Sequence, residues 1–591
     1  MKDAQKLYAN IMESYSNGDK EFEIPDGVYR LSTDGIPTFE FRNMKDFKIT
    51  GGDNVYFVQT KVPFDSIKIV SCENLTIEGI KLDCEPPPFA QGTITEIDCK
   101  EKKMTVILDD GYAFPDDIND FIDKMGPLRV AVYESDYTDS VGFMPNEVAY
   151  DITKANENEY TFGFAQGLYF TDDYEVQIGN KISFAFRSGG TALGIIDSGR
   201  IEVKNVDVYS AHGFCVHESG GEGGHHYCNL RIIPRPGTNR LLSGAADGFH
   251  SYLVKNGPTL ERCEIGATAD DAINVHGFFN VIYKKISDTE FLMASILPHS
   301  LEPGTDIYFA EIGSMATYSQ SKIASMELNG DQNLRDEIRS DFHKTILKEK
   351  KFSVRSFGMG DVYRVKLSSP ADFKEMDIAY SYGANGEGLT VKDSYIHDIP
   401  SVGVLTQGPA VIANNRFERT GFGAIMISCD NYWLEGPFPK DVTIENNTFA
   451  DIGLNPEGLS LPGAVIVNNN GKNCCKKIDF DNITIQNIKI NNNKFKDCAS
   501  SAVLASNIEQ LEIKNNVIDN VRKRALHKFS VTNFSNVGVK ADEQTSAIYL
   551  AAIQGADLTG NTFLNNSSFC KNNIILGANA KGIVGQHKQN E

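Results

Sequence analysis

A short phrase returns through the second half of this chain: Asn414-Asn415-Arg416-Phe417, Asn446-Asn447-Thr448-Phe449, Asn492-Asn493-Lys494-Phe495, Asn515-Asn516-Val517-Ile518 and Gly560-Asn561-Thr562-Phe563. Its closing apolar residue recurs after 32 residues (417 to 449), 46 (449 to 495), 23 (495 to 518) and 45 (518 to 563), and two of these intervals are about twice 23. A repeat of this kind restricts the chain to a stacked architecture in which each unit covers its neighbour's apolar face. The runs beside the phrase, such as Leu511-Glu512-Ile513-Lys514 and Val442-Thr443-Ile444-Glu445, alternate with a period of two. That is the pattern of strands with one face inside, and it argues against helical repeats, which need apolar positions three and four apart. Asparagine suits the corners, because it tolerates the left-handed backbone conformation and can bond to a copy of itself one coil away.

The expected fold is therefore all-β: a parallel β-helix of three strands per coil. The same grammar occurs at Ile67-Lys68-Ile69-Val70 and Ile201-Glu202-Val203-Lys204, so the solenoid begins near the N-terminus, with residues 4 to 16 predicted as a helix covering its open end. Residues 88–190 and 279–385 break the rhythm and read as two inserted β-barrel-like modules, the first starting at Gly92-Thr93-Ile94 and the second holding a helical stretch around Gln332 to Lys348. The division is then 1–87 for cap and first coils, 88–190 for the first module, 191–278 for middle coils, 279–385 for the second module and 386–591 for the last coils. Insertions usually leave a solenoid from one corner, so both are expected to wall one face.

Between the modules lie Ala246-Asp247-Gly248-Phe249-His250 and, 23 residues on, Ala269-Asp270-Asp271-Ala272-Ile273-Asn274-Val275-His276-Gly277. A 23-residue period stacks Asp270 on Asp247, about 4.8 Å apart at the backbone, with Asp271 over Gly248 and His212 in the same column one coil earlier. A lone aspartate at a corner caps a turn. Three together repel, and one should keep its proton near neutral pH. A protonated acid beside ionised partners is what single-displacement glycoside hydrolysis requires, with the two carboxyl groups about 6.5–9.5 Å apart. Calcium binding by the same oxygens is the alternative chemistry, as are roles for His250 and His276 in turn or core and for Asn274 in a ladder. The only tryptophan, Trp433, sits in Asn431-Tyr432-Trp433-Leu434-Glu435-Gly436-Pro437, where it and Glu435 could wall a sugar site. Glu218 is a further candidate for sugar hydroxyls. The substrate-binding set is thus His250, Asn274, His276, Glu218, Trp433 and Glu435, with no metal and no cofactor expected.

Net charge is −22, which disfavours a nucleic-acid backbone as partner; no apolar run is long enough for a membrane span. Met1 to Lys20 lacks a secretory core, so the chain reads as cytoplasmic if this N-terminus is native and as secreted or periplasmic if a signal has been trimmed. The 11 cysteines are scattered and expected to be mostly free thiols, and His225-His226-Tyr227-Cys228 lacks a second ligand pair for a metal. The partner expected is an oligosaccharide or glycoconjugate; a homo-oligomer is compatible with the sequence.

These motifs, the Asn-x-Phe coils and the two long insertions together resemble glycoside hydrolase family 110, the inverting α-1,3-galactosidases that remove terminal galactose from blood-group-B-type and related glycans. The resemblance spans nearly the whole chain. It implies a β-helix with inserted barrels and no metal cofactor, with Asp270 as general acid and Asp247 and Asp271 positioning and deprotonating water. Polygalacturonases also set one aspartate a coil before a pair, but Ala246 and Ala269 depart from their pattern and no Arg-Ile-Lys motif is present to grip a uronate. A non-catalytic glycan-binding β-helix and a calcium-dependent lyase are the other classes.

Overall fold

The structure, a computed structural model, describes residues 3–125, 128–133, 148–164, 176–295, 301–312, 315–341, 361–430, 433–454, 463–469, 483–523 and 546–585. The chain winds through three columns of short parallel strands. One coil comprises Leu193–Ile196, Glu202–Lys204 and Asp207–Val208; the next comprises Val216–Ser219, His226–Cys228 and Arg231–Ile232, each strand pairing with its counterpart. The first two columns run together in one large sheet and the third forms a 12-stranded sheet. Alternate side chains point inward and build one continuous core, in which Ile69, Ile195, Val203, Phe417 and Phe449 are buried.

The two asparagines of the repeated phrase divide the work. The first, at 414, 446, 492 and 515, adopts a left-handed φ of 57° to 59° and turns the chain. The second is buried and forms a ladder: the Asn415 Nδ2–H donates to Asn447 Oδ1 at 3.1 Å, Asn447 to Asn493 at 3.1 Å, Asn493 to Asn516 at 3.1 Å and Asn516 to Asn561 at 3.0 Å. Phe449 pairs directly with Phe495, and Ile518 with Phe563. The intervals of 46 and 45 residues are therefore single coils with more residues between their strands.

The helix Ala4–Ser16 closes the N-terminal end. Asp3 accepts the Lys6 N–H at its start, a standard N-cap, and Leu7 and Ile11 press into the core while Tyr8 packs against Phe39 and Phe41. Both insertions contain closed six-stranded barrels, one running from Phe89–Asp98 to Lys181–Ala185 and the other from Asn280–Ser287 to Ile378–Tyr380. The predicted helix of the second module spans Gln332–Asp341; residues 342–348 fall outside the described residues.

The insertions do not share a corner. The first leaves after the third-column strand Lys81–Cys84 and returns at the first-column strand Leu193–Ile196, whereas the second leaves after the first-column strand Ile273–Phe278 and returns at the second-column strand Leu389–Lys392. They therefore flank the two ends of the first column. The nine described cysteines are free thiols, and seven of them are buried. No helix among the described residues is long and apolar enough to cross a membrane.

Candidate active site

Asp247 lies in the corner that leads into Phe249–Tyr252, and Asp270 and Asp271 lie in the equivalent corner before Ile273–Phe278. The strands pair Phe249 with Ile273 and His250 with Asn274, and Gly244 bridges Thr268. The offset is 24, so Asp271, not Asp270, stands opposite Asp247, and Ala272 stands opposite Gly248. The 23-residue stacking expected above is wrong here because a solenoid corner can absorb one more residue without disturbing the strands on either side. His212 is also out of the column. Val216 pairs with Phe249, which brings Phe214 to the position below Asp247.

Strand alternation sorts the remaining candidates. His217, His250 and Asn274 form one outward row and Ser219, Tyr252 and His276 the next, on the face flanked by the two barrels. Glu218 points the other way. It is fully buried in the core, accepts a 2.7 Å hydrogen bond from the Tyr227 hydroxyl, and is pushed up to about 7 by burial. Its expected contact with substrate is thus corrected: two residues after the inward Val216, it has to face inward as well.

Glu435 reaches the site by a different route. The segment Glu435–Gly436 pairs antiparallel with Phe278 and Gly277, at the far end of the strand that begins beside Asp271. Gly436 allows this approach, since a Cβ there would lie 2.7 Å from the Phe279 ring. Glu435 Oε1 comes to 3.6 Å from His276 Nε2 and the carboxyl bonds to the Asn274 side chain. Burial, then the neighbouring carboxyls, Asp430 foremost, hold Glu435 well above the usual carboxylate range. Trp433 is half-buried in the same segment, its backbone N–H donating to Asp430 at 3.3 Å; Asn431 and Tyr432 lie outside the described residues.

The hydrogen bonds assign one proton. His276 Nδ1 lies 2.8 Å from the Gly277 carbonyl, which can only accept, so that nitrogen carries hydrogen. Burial holds His276 well below its ordinary value, leaving Nε2 as an acceptor. The 3.2 Å contact between His276 Nε2 and His250 Nε2 then requires the hydrogen on His250 Nε2. Burial likewise keeps His250 neutral, down at about 3, so its Nδ1 accepts, and the 2.5 Å bond to Asp247 Oδ2 takes its proton from Asp247. Burial and then the charge of Asp270 push Asp247 up to about 8, in agreement with a protonated carboxyl.

Asp270 has opposite surroundings. Arg129 Nη1 approaches Oδ1 at 2.7 Å and Arg187 Nη1 approaches Oδ2 at 3.0 Å, two guanidiniums that stabilise its negative charge. Arg187 also lies over Phe214, 5.5 Å from the ring centre, and Phe214 stacks on His250 at 4.2 Å. Asp247 and Asp270 lie close enough for Asp270 to raise the hold of Asp247 on its proton, so the wider spacing expected of an inverting acid and base is not found between these two. Asp271 accepts the Val402 N–H at 3.1 Å.

Sequence reasoning missed Arg129 and Arg187. They belong to the first module and its return to the solenoid, and no local motif connects either with the aspartates. It also missed Phe214, whose place follows from the strand pairing alone. His225 accepts the Ile201 N–H and His226 contacts Glu261, so the histidine-cysteine cluster serves the coil. Among the described residues no three His, Cys, Asp or Glu side chains are arranged to hold a metal ion.

A family model described as "Right handed beta helix region" matches residues 379–539. An alpha-1,3-galactosidase A of Bacteroides fragilis (strain YCH46) is 23% identical over 560 residues, covering 87% of this chain and 84% of the relative. An alpha-1,3-galactosidase B of Bacteroides thetaiotaomicron is 23% identical over 436 residues, covering 69% and 63%. The chain is a distant relative of the α-1,3-galactosidases. This kinship supports a glycoside hydrolase and bears out the resemblance to family 110, and the fold is a right-handed parallel β-helix. Among solved structures, the catalytic unit of the GH87 alpha-1,3-glucanase of Streptomyces thermodiastaticus strain HF3-3 aligns over 99% of this chain and 67% of its own, with 11% identity and a TM-score of 0.38.

Proposed function

We propose that this relative of the α-1,3-galactosidases is an inverting exo-α-1,3-galactosidase that releases terminal α-1,3-linked galactose from blood-group-B-type glycans, from linear Galα1-3Gal glycans, or from both. The observation that carries this reading is the contact pair Asp247–Asp270, which holds one proton between a neutral imidazole and two guanidiniums and has Asp271 beside it.

Hydrolysis needs one proton delivered and one removed. The pair gives its proton to the glycosidic oxygen as the bond from that oxygen to the anomeric carbon breaks. Asp271 takes a proton from the water that attacks the anomeric carbon from the opposite face, and β-galactose leaves. Two interacting carboxyls titrate as a unit, so the donor is the pair; the resemblance would make Asp270 its acid, whereas the hydrogen bonds favour the proton on Asp247 in the resting site. Asn274 Oδ1 is buried without a hydrogen-bond partner, a suitable acceptor for a sugar hydroxyl.

An exo mode agrees with how closed the site is. Asp247, Asp270, Asp271, His276 and Glu435 are each between 1% and 8% exposed, with the first barrel at one end of the strand column and the 435–436 segment at the other. Only a chain terminus enters such a site. A neutral sugar agrees with the arginines, which are the cations a uronate would need but are both engaged by Asp270.

The test is a substrate panel: linear Galα1-3Gal, the fucosylated branched trisaccharide and polygalacturonate. Release of free galactose from one or both galactosides and no cleavage of polygalacturonate is the expected result. Cleavage of polygalacturonate alone would overturn the reading.

A further inference from the structure

We propose that Arg129 is a positioning residue for the reaction: reaching out of the first barrel, it holds Asp270 as an anion and so keeps the proton of the Asp247–Asp270 pair on Asp247. The inference rests on the glycosidase reading for its kinetic meaning, although the arrangement it describes can be tested without turnover.

The barrel delivers its two cations together. Arg129 lies in the strand Leu128–Tyr133, directly opposite Ala185 of the barrel's last strand. Arg187 follows two residues after Ala185, where the chain leaves the barrel for the solenoid. The two guanidiniums therefore leave one edge of the barrel side by side, and each takes a different oxygen of Asp270. Their surroundings are not equivalent. Arg187 is fixed a second time by the face of Phe214, whereas among the described residues Asp270 is the one acidic group within ion-pair distance of Arg129.

The other titratable groups around the pair add no positive charge. His250 and His276 are held neutral by burial, as are His217 and His212, while Asp271, Glu435 and Asp430 are carboxyls on the neighbouring elements. Burial and mutual repulsion make the pair hold protons tightly, and Arg187 and Arg129 are the charges that oppose this. Removing Arg129 should make both of the pair's protons harder to lose. The singly protonated form, which is the active one, would then be populated over a higher pH range.

The test compares wild type, Arg129→Lys and Arg129→Met by the pH dependence of kcat/KM on one α-1,3-galactoside. Folding of each is checked by circular dichroism and thermal melting, and carboxyl titration in the intact proteins is followed by infrared difference spectroscopy. In Arg129→Met both limbs of the profile should move up by about one pH unit, with a matching rise in the carboxyl titration, and Arg129→Lys should restore the wild-type limbs. A folded Arg129→Met protein with lower kcat but unmoved limbs and an unmoved carboxyl titration would overturn the proposal and leave Arg129 as a docking contact. If wild type cleaves no α-galactoside, the functional reading fails, and the infrared comparison alone decides the role of Arg129.

Discussion

At Asn415, Asn447, Asn493, Asn516 and Asn561, in the corner between the second and third columns, each side chain donates to or accepts from the next along the stack; at Asp247, Asp270 and Asp271, in the corner between the third and first columns, side chains of the same length repel one another. The difference lies in the hydrogen-bonding inventory. An amide both donates and accepts, so a column of asparagines satisfies itself, while an ionised carboxylate only accepts and needs donors from outside the column. The solenoid supplies the Val402 N–H to Asp271 and, for Asp247, a ring nitrogen of His250 that accepts the proton Asp247 keeps. The rest arrive from the first barrel as Arg129 and Arg187. The asparagine coils need no module beside them, and the aspartate coils have one at each end of their strand column.

The largest effect is expected from giving the aspartate corner the chemistry of the ladder. Asp270→Asn removes the anion, and with it the pair that delivers the proton. Turnover of unactivated Galα1-3Gal should fall by roughly 10²–10⁴-fold, with a much smaller loss on an aryl α-galactoside whose leaving group needs no protonation. Full activity on the disaccharide would show that Asp270 has no part in proton delivery.

The converse change is Asn493→Ala. It strips donors and acceptors from Asn447, Asn516 and the Ile444 carbonyl and should cost roughly 1–3 kcal/mol of stability for the buried groups left unpaired, read as a lower melting temperature. Turnover per folded molecule should not change.

A third change concerns pH. The folded-state value of Asp247 lies above its ordinary 3.8, at about 8, so the native protein binds more protons than the unfolded chain in that interval. Stability from this group is fully present below the ordinary value and is lost as pH rises toward 8. Asp247→Asn removes that loss, so its melting temperature should gain on wild type steadily from pH 4 to pH 8. A constant difference would mean that Asp247 is not the protonated member.

The smallest effect is expected at Glu218, which is pushed up to about 7 inside the core. Glu218→Gln should leave turnover within about twofold and gain stability on wild type as pH rises from 4.5 to about 7, where the unfolded carboxyl ionises and the buried native one keeps its proton, with no further gain above that.

The asparagine phrase was legible as coil corners because its two functions, a left-handed turn and a self-bonding side chain, both belong to one residue type. The cap helix could be anticipated from the solenoid's need to cover its open end, and the first barrel from the alternating run at Gly92. The corner that carries the three aspartates could be located in the sequence, but its register could not. A constant period set Asp270 over Asp247, whereas the coil between Phe249 and Ile273 is one residue longer than that between Phe495 and Ile518. The inward direction of Glu218 was already written in its spacing from Val216. Arg129 and Arg187 had no such signal, because contacts between a folded module and a solenoid corner depend on how the barrel docks and on nothing local to either residue.

The central claim is single displacement of a terminal α-galactosyl group by the Asp247–Asp270–Asp271 cluster, and proton NMR of the sugar as it is released tests it most directly. With Galα1-3Gal as substrate, the anomeric signal of β-galactose should appear first and the α signal only later, as mutarotation proceeds. Initial release of α-galactose would contradict the account, since it requires a covalent intermediate and two displacements.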